Sequence, residues 1–472
     1  MHTPRIAHLR RSLRALEARP RALGTSVLIT GAVLGSALVL LAGSAVAYRA
    51  QEPQAAMLEA AHLPPLLTAP GEAVELRYDV FCSTSEETDE SPCDAAGSVF
   101  VRTGGAGPFA QLQLRVEPSA MDGRYVALVP PSIARRGRGF SYYAVFVSER
   151  AGQTLTLPAG GADAPQQSLP LDRAVEVHIG KHAFGAAGRA DERVVRASWG
   201  SGAQEIGLEQ GRGLPPTGGS SFDVDRFGTV HVLDQVHRRL LRWREGAAAP
   251  VDVPLAIDGS LADVSIADDG TVYVLETATA ARGPLLRTFG PGGKTDGTVQ
   301  IAERTASQVR IGSSGPVVLQ HPSGQWMPAA TDGRPLSPQA QKRAGRAGRA
   351  VPGVGDVVVL RVGSEIRAAV ADGNGVRRAW RVTSDTPLAE IQLAEPLGNR
   401  LVLVVRAYTD DSDEFVVLVL GPTGLLSSFA LDSADWAETA PLSRFRLAGS
   451  ALYQLGSTPA GLFVDRFELE VQ

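Results

Sequence analysis

His178 and His182 stand four residues apart, the spacing that lets two imidazoles share a zinc ion on one face of a helix. Their surroundings, Ala174-Val-Glu-Val-His-Ile179, alternate like a strand, along which four residues span about 13 Å. One ion cannot bridge that distance, so the pair is expected to be structural. Gly290-Pro-Gly-Gly-Lys-Thr295 ends like a phosphate-binding loop. Thr288 occupies the place of the first glycine such a loop needs, and no strand–helix–strand pattern surrounds it, so a plain turn is expected. Two carboxylate clusters are candidate cation sites: Asp410, Asp411, Asp413 and Glu414, and, for calcium, the group Glu86, Glu87, Asp89 and Glu90 with Asp94 beside it. The second group matches no calcium-loop spacing and lacks the glycine of its sharp turn. The first reads as a charged hairpin tip and the second as a solvated acidic hairpin. No Gly-x-Ser-x-Gly elbow occurs, so the usual serine-hydrolase signal is missing. No catalytic residue, metal site or cofactor is expected.

One basic stretch, 334–349, holds Arg334, Lys342, Arg343, Arg346 and Arg349 without an acid. Lys342, Arg343, Arg346 and Arg349 are candidate interaction residues for an anionic lipid or cell-wall polymer. The competing expectation is a flexible insertion between structural units. Cys82 and Cys93 are the chain's two cysteines, and an oxidising compartment would favour a disulfide between them. Without further cysteines or a nearby histidine, a zinc site there is not expected.

The elements that position these residues follow from composition and repeats. With 472 residues, 44% hydrophobic, the chain can build two or three cores. Its 51 glycines and 31 prolines, with little helical periodicity, predict an all-β fold rich in turns. Phe222–Asp234 aligns without a gap on Val264–Glu276, and a third copy begins at Val309. Each copy is a strand, a tight turn at Gly228, Gly270 or Gly315, and a second strand. Glycine supplies the positive φ such a turn requires. Hairpin units recurring every 40–50 residues predict the blades of a β-propeller. Segments 357–382, 391–420 and 445–467 complete six blades over 190–472. The last has three strands, and 194–208 is placed to supply its fourth, because an unpaired edge is a liability.

The stretch Phe222–Trp243 resembles an NHL repeat: Asp225, Gly228, Asp234, Arg239, Leu240 and Trp243 fall on that family's pattern. In the second copy Gly270 and Phe289 remain, while Glu276 replaces the later aspartate. The resemblance implies a propeller of a kind commonly used as an interaction platform. Propeller hydrolases of the lactonase type gather Glu, Asn and Asp around calcium, whereas this chain has only Asn374 and Asn399, both in turns.

Ahead of the propeller, Val74, Leu76, Tyr78 and Val80 alternate on one strand face. Further strands at 99–101, 112–116, 125–129, 140–147, 155–157 and 174–179 predict a β-sandwich over 69–182. Arg124–Pro130 followed by Gly139–Val147 resembles the later strands of immunoglobulin-like and fibronectin type III-like modules. Residues 49–68, with Pro53, Pro64 and Pro65, read as a linker. Residues 23–48 carry no charge and are long enough to cross about 30 Å of hydrocarbon as a helix. Six arginines against Glu17 precede them in the basic leader 1–22, which predicts a cytoplasmic N-terminus and an extracytoplasmic bulk. A cleaved signal peptide ending at Ala45-Val-Ala47 is the alternative to this signal-anchor.

The whole chain has a net charge of −4, and beyond the leader it is more acidic still, which excludes a nucleic-acid binder. The expected protein is single-pass and held in the lipid bilayer by its N-terminal helix. Its propeller engages a protein, peptide or glycan. A metal-dependent propeller hydrolase or lyase, or the sensory ectodomain of a membrane complex, are the alternatives.

Overall fold

The computed structural model describes residues 57–83, 95–117, 123–134, 137–149, 151–211, 213, 215–247, 249–279, 281–320, 324–433, 435–437 and 442–469. The expected anchor, its basic leader, the acidic group 86–94 and Cys93 lie outside the described residues. Among the described residues no helix is long and apolar enough to cross a membrane. Among the described residues the fold is all-β, with one short helix, Pro338–Arg343.

Two sheets enclose the first core. One runs Met57–His62, Val74–Ser83, Arg124–Val129, Arg115–Val116, with antiparallel neighbours. The other centres on Phe140–Ser148, flanked by Ala96–Thr103 and Gln166–Pro170. Strict alternation drives the packing. Val74, Leu76, Tyr78 and Val80 turn inward against Phe140, Tyr142, Ala144 and Phe146, each large side chain contributing roughly 1.5–3 kcal/mol. The stretch expected as one strand over 112–116 divides: Ala110–Gln113 pairs in one sheet and Arg115–Val116 in the other. Such a crossing makes a corner between sheets. Part of the expected linker is also structured, because Leu58 faces this core and Met57–His62 pairs with Val74–Ser83.

The remaining strands form six larger sheets and one two-stranded ribbon, Ala330–Thr331 with Arg334–Pro335, and the inner strands of the six touch in a closed circle, giving a β-propeller. The inner strands are Ser221–Val224, Ala262–Ile266, Ala306–Gly312, Arg349–Val351 with Gly355–Val362, Leu388–Leu397, and Phe445–Ala448. The repeat predicted from glycine spacing is present as hairpins, with Gly228 and Gly270 at φ of 79° and 83°. Separate apolar clusters lie between neighbouring sheets, such as Leu233, Leu240, Val264 and Phe289 between the first two.

The segment entering the ring straps its outside. Val175–His178, expected as the sandwich's last strand, instead pairs in parallel with Gly375–Thr383. Its alternation fits either sheet edge, so only the long-range partner decides. The chain then crosses the neighbouring sheet, where the Gly188 amide donates to the Ala430 carbonyl at 2.7 Å. Glu192–Ser198 finally pairs with Gly461–Glu468, with Val195 opposite Val464 and Ala197 opposite Leu462. This supplies the fourth strand that the last sheet lacks. The first core is joined to the ring through Leu66, Leu67 and Leu171 against Val358, Ala369 and Ala379. Arg367 adds two hydrogen bonds to the Glu72 carboxylate, at 2.7 and 3.0 Å.

Candidate functional site

The inner strands converge on the propeller axis, the position where this architecture can gather side chains from every sheet. Asp263, in the middle of Ala262–Ile266, is fully buried. Its carboxylate accepts hydrogen bonds from Ser221 Oγ (2.5 Å), the Val309 amide (2.8 Å), Arg310 Nη1 (2.9 Å) and Arg446 Nη2 (3.2 Å). Arg446 also donates to the Phe222 and Val264 carbonyls, at 2.9 and 2.7 Å, and lies 3.1 Å from Asp223 Oδ1. Arg310 reaches Ser443 Oγ at 3.1 Å. Arg349 pairs with Glu395. Each of the six sheets therefore contributes one charged residue: Asp223, Asp263, Arg310, Arg349, Glu395 and Arg446.

Three carboxylates and three guanidinium groups leave this ring neutral. Burial, reinforced by repulsion from Arg446, lowers the Arg310 pKa to about 10, with Asp263, Glu395 and Asp223 working the other way. Arg310 stays charged at neutral pH. The ring contains no histidine, and its arginines have no lone pair with which to take a proton. The Asp263 oxygens are occupied by four donors. What this arrangement does chemically is neutralise buried charge, and removing one member of such a set typically costs about 3–5 kcal/mol.

The sequence-predicted candidates are dispersed. His178 is exposed and lies 3.5 Å from Asp385, whereas His182 Nε2 bonds Glu414 at 2.7 Å. They share no site. Glu414 also accepts from the Gly185 amide at 2.7 Å, which turns it away from the acidic hairpin tip and into the outer strap. Asp410, Asp411 and Asp413 line an open cleft with Arg406, whose Nε donates to Asp413 at 2.8 Å. No group of three or more metal-ligating side chains occurs among the described residues. Gly290–Thr295 includes the turn, closed by the Gly290 amide to the Lys294 carbonyl at 2.9 Å.

The basic stretch is anchored rather than a flexible insertion. Ser337 caps the helix Pro338–Arg343, and buried Gln341 ties it to Ala302 and Gln300, at 3.0 and 2.8 Å. Lys342, Arg343 and Arg346 are exposed. Arg349 is not: it is buried at the axis against Glu395, and so leaves the candidate interaction set. Cys82 lies half-buried on Val74–Ser83, and no described cysteine is a free thiol.

Two of the repeat positions carry structure. Asp234, fully buried, accepts from Arg239 Nε (2.9 Å), His237 Nδ1 (2.8 Å) and the Gly207 amide (3.2 Å). Glu276, its counterpart, reaches farther and takes Arg287 Nε at 2.6 Å instead. Asp225 fixes its own turn through the Phe227 and Thr229 amides, both at 2.9 Å, and holds His231 Nε2 at 3.0 Å.

The axial ring escaped the sequence reading, although a signal existed. Asp223 and Arg310 occupy the same position of the first and third aligned copies, a polar residue next to buried apolar ones, whereas the second copy has Ser265 there and its ring member, Asp263, lies two residues earlier.

No protein-family profile matches the chain, and no curated protein matches it. Among solved structures, similarity is found to virginiamycin B lyase from Staphylococcus aureus, at 10% identity, covering 54% of this chain and 96% of that one, with a TM-score of 0.33. A functionally unknown protein from Desulfotomaculum acetoxidans is similar at 12% identity, 54% and 92% coverage and a TM-score of 0.34. A luciferin-regenerating enzyme is similar at 9% identity, 54% and 92% coverage and a TM-score of 0.32. None of these likenesses bears on what this chain does.

Proposed function

We propose that this chain is a binding or scaffolding protein, tethered to a membrane by residues 23–48, with its bulk on the extracytoplasmic side. In this reading an immunoglobulin-like sandwich carries a six-bladed propeller that presents its rim to a protein, peptide or glycan. A Cys82–Cys93 disulfide pins the acidic loop between them. One observation carries the binding reading over the metal-dependent hydrolase or lyase: the axial carboxylates are already committed to Arg310, Arg349 and Arg446. A catalytic channel needs carboxylates free to take a metal, a proton or substrate, and here four donors occupy Asp263.

The test is affinity capture with the intact protein in its native membrane orientation, under oxidising conditions, with partners identified by mass spectrometry. A partner or glycan recovered specifically and released by rim substitutions supports the reading. Turnover of a screened substrate that is lost on substituting Asp263, with the fold retained, overturns it.

A further inference from the structure

The rim between the first two repeated hairpins holds polar groups that no described residue satisfies. A cleft of about 100 Å³ opens there, lined by Asp225, Arg226, Phe227, His231, Arg242 and Arg244, with Asp268 on its far side. Asp225 is fully engaged: one oxygen takes two backbone amides and the other faces His231 Nε2. Burial works against its charge, but the His231 hydrogen bond and those amides hold the carboxyl below its usual range. A carboxylate only accepts, so the imidazole proton sits on Nε2 and leaves a lone pair on Nδ1. Burial lowers the His231 pKa, outweighing Asp225, which keeps the ring neutral at pH 7.

His231 is 4% exposed, and its Nδ1 has no hydrogen-bond partner among the described residues. Directly opposite on the adjacent strand stands Arg242, whose buried Nε likewise lacks a partner. Neither Arg242 nor Arg244 forms an ion pair among the described residues. Arg226 is also unpaired and stacks on the exposed Phe227 ring at 4.6 Å. Three guanidinium groups without an ion pair among the described residues thus stand around two carboxylates, Asp268 and the Asp225 that attracts Arg242, beside a neutral acceptor and an aromatic face. A buried donor and a buried acceptor left open cost about 1–3 kcal/mol each, which a ligand carrying the complementary pair recovers.

That complement is an anion with a hydroxyl next to it. A carboxylate accepts from Arg242 and faces Arg244, the hydroxyl donates to His231 Nδ1, and the C–H face of a sugar ring lies on Phe227. We propose that this cleft binds one acidic sugar residue of the uronate type. The volume is small beside the 300–1,000 Å³ of a pocket enclosing a whole organic ligand, so a single residue enters while the rest of a chain stays in solvent. This inference rests on the binding reading above and names its ligand class.

The experiment is calorimetric titration of the full-length protein in detergent, at low salt and pH 7, with trigalacturonate, maltotriose and inorganic phosphate as probes. Trigalacturonate is expected to bind and maltotriose not to. Arg242→Gln should weaken trigalacturonate at least tenfold, and Arg244→Gln and Phe227→Ala severalfold, while Arg406→Gln at the distant hairpin tip changes nothing. Each variant's unfolding midpoint is measured alongside, so that loss of fold is separated from loss of contact. Equal binding of maltotriose, phosphate binding as tightly as trigalacturonate, or undiminished binding by Arg242→Gln would overturn the assignment. If capture recovers a partner while trigalacturonate does not bind, the site falls and the binding reading stands. If trigalacturonate binds and is cleaved, the site stands and the non-enzymatic reading falls.

Discussion

The axis and the rim of the propeller use the same residue types to opposite ends. At the axis, Asp263, Arg310 and Arg446 are buried and bonded to one another. At the rim, His231 and Arg242 are held next to each other with an acceptor and a donor left open. Charge inside a protein is tolerated when paired, and an unpaired buried group is kept at a cost. The contrast teaches that a cluster of ionisable residues is not evidence of chemistry until its free valences are counted. By that count the axis leaves one open donor, Arg446 Nη1, with both Asp263 oxygens engaged, whereas the rim leaves an acceptor and a donor open side by side.

The largest effect expected from this contrast is at the axis. Asp263→Ala leaves Arg310 and Arg446 without their shared carboxylate and should destabilise the protein by about 3–5 kcal/mol in denaturant unfolding. A loss below 1 kcal/mol would mean that the axis is hydrated and open, and the contrast would break.

A second effect extends the comparison to the sandwich. Both nitrogens of His62 are used: Nδ1–H donates to the Arg77 carbonyl (2.6 Å), and the Tyr142 hydroxyl donates to Nε2 (2.7 Å). Burial lowers its pKa to about 4, against a smaller opposing effect of the Arg77 carbonyl. Between pH 4 and 6.5 the unfolded chain therefore binds the extra proton. Stability from this group is present above pH 6.5, falls as the pH drops toward 4, and changes no further below that, by roughly 3 kcal/mol in all. His62→Gln should flatten that slope in unfolding experiments run across the range.

A third, smaller effect concerns the outer strap. His182→Ala removes one bond to Glu414 but leaves the Gly185 amide in place, so a loss of about 1–2 kcal/mol is expected. Amide hydrogen exchange should rise in 182–190 before the inner strands respond. At the rim, Arg242→Gln removes a buried Nε that lacks a partner together with an attraction to Asp225, effects of opposite sign, and should shift the unfolding free energy by no more than about 1 kcal/mol.

How far the sequence could be read follows from the range of each interaction. Gly228 and Gly270 announce hairpins because turn geometry is local, and the apolar alternation of Val74–Val80 does the same for the first core. The closing strand Glu192–Ser198 was legible because the last sheet lacked a fourth strand. Val175–His178 was misplaced because its partner, Gly375–Thr383, lies some two hundred residues on, and edge strands of similar pattern suit either sheet. Arg349 looked like part of an exposed basic run, since nothing near it in the chain reveals Glu395 at the axis. The His231–Arg242 cleft was invisible for the same reason: its meaning lies in missing partners, which no spacing encodes.

The most direct measurement is calorimetric unfolding of the intact protein with increasing calcium or manganese. If the axial carboxylates are committed to arginines, the midpoint stays unchanged across millimolar metal. A saturable rise that persists after Asp410→Asn and Asp411→Asn at the hairpin tip, and vanishes with Asp263→Asn, would contradict a closed axis.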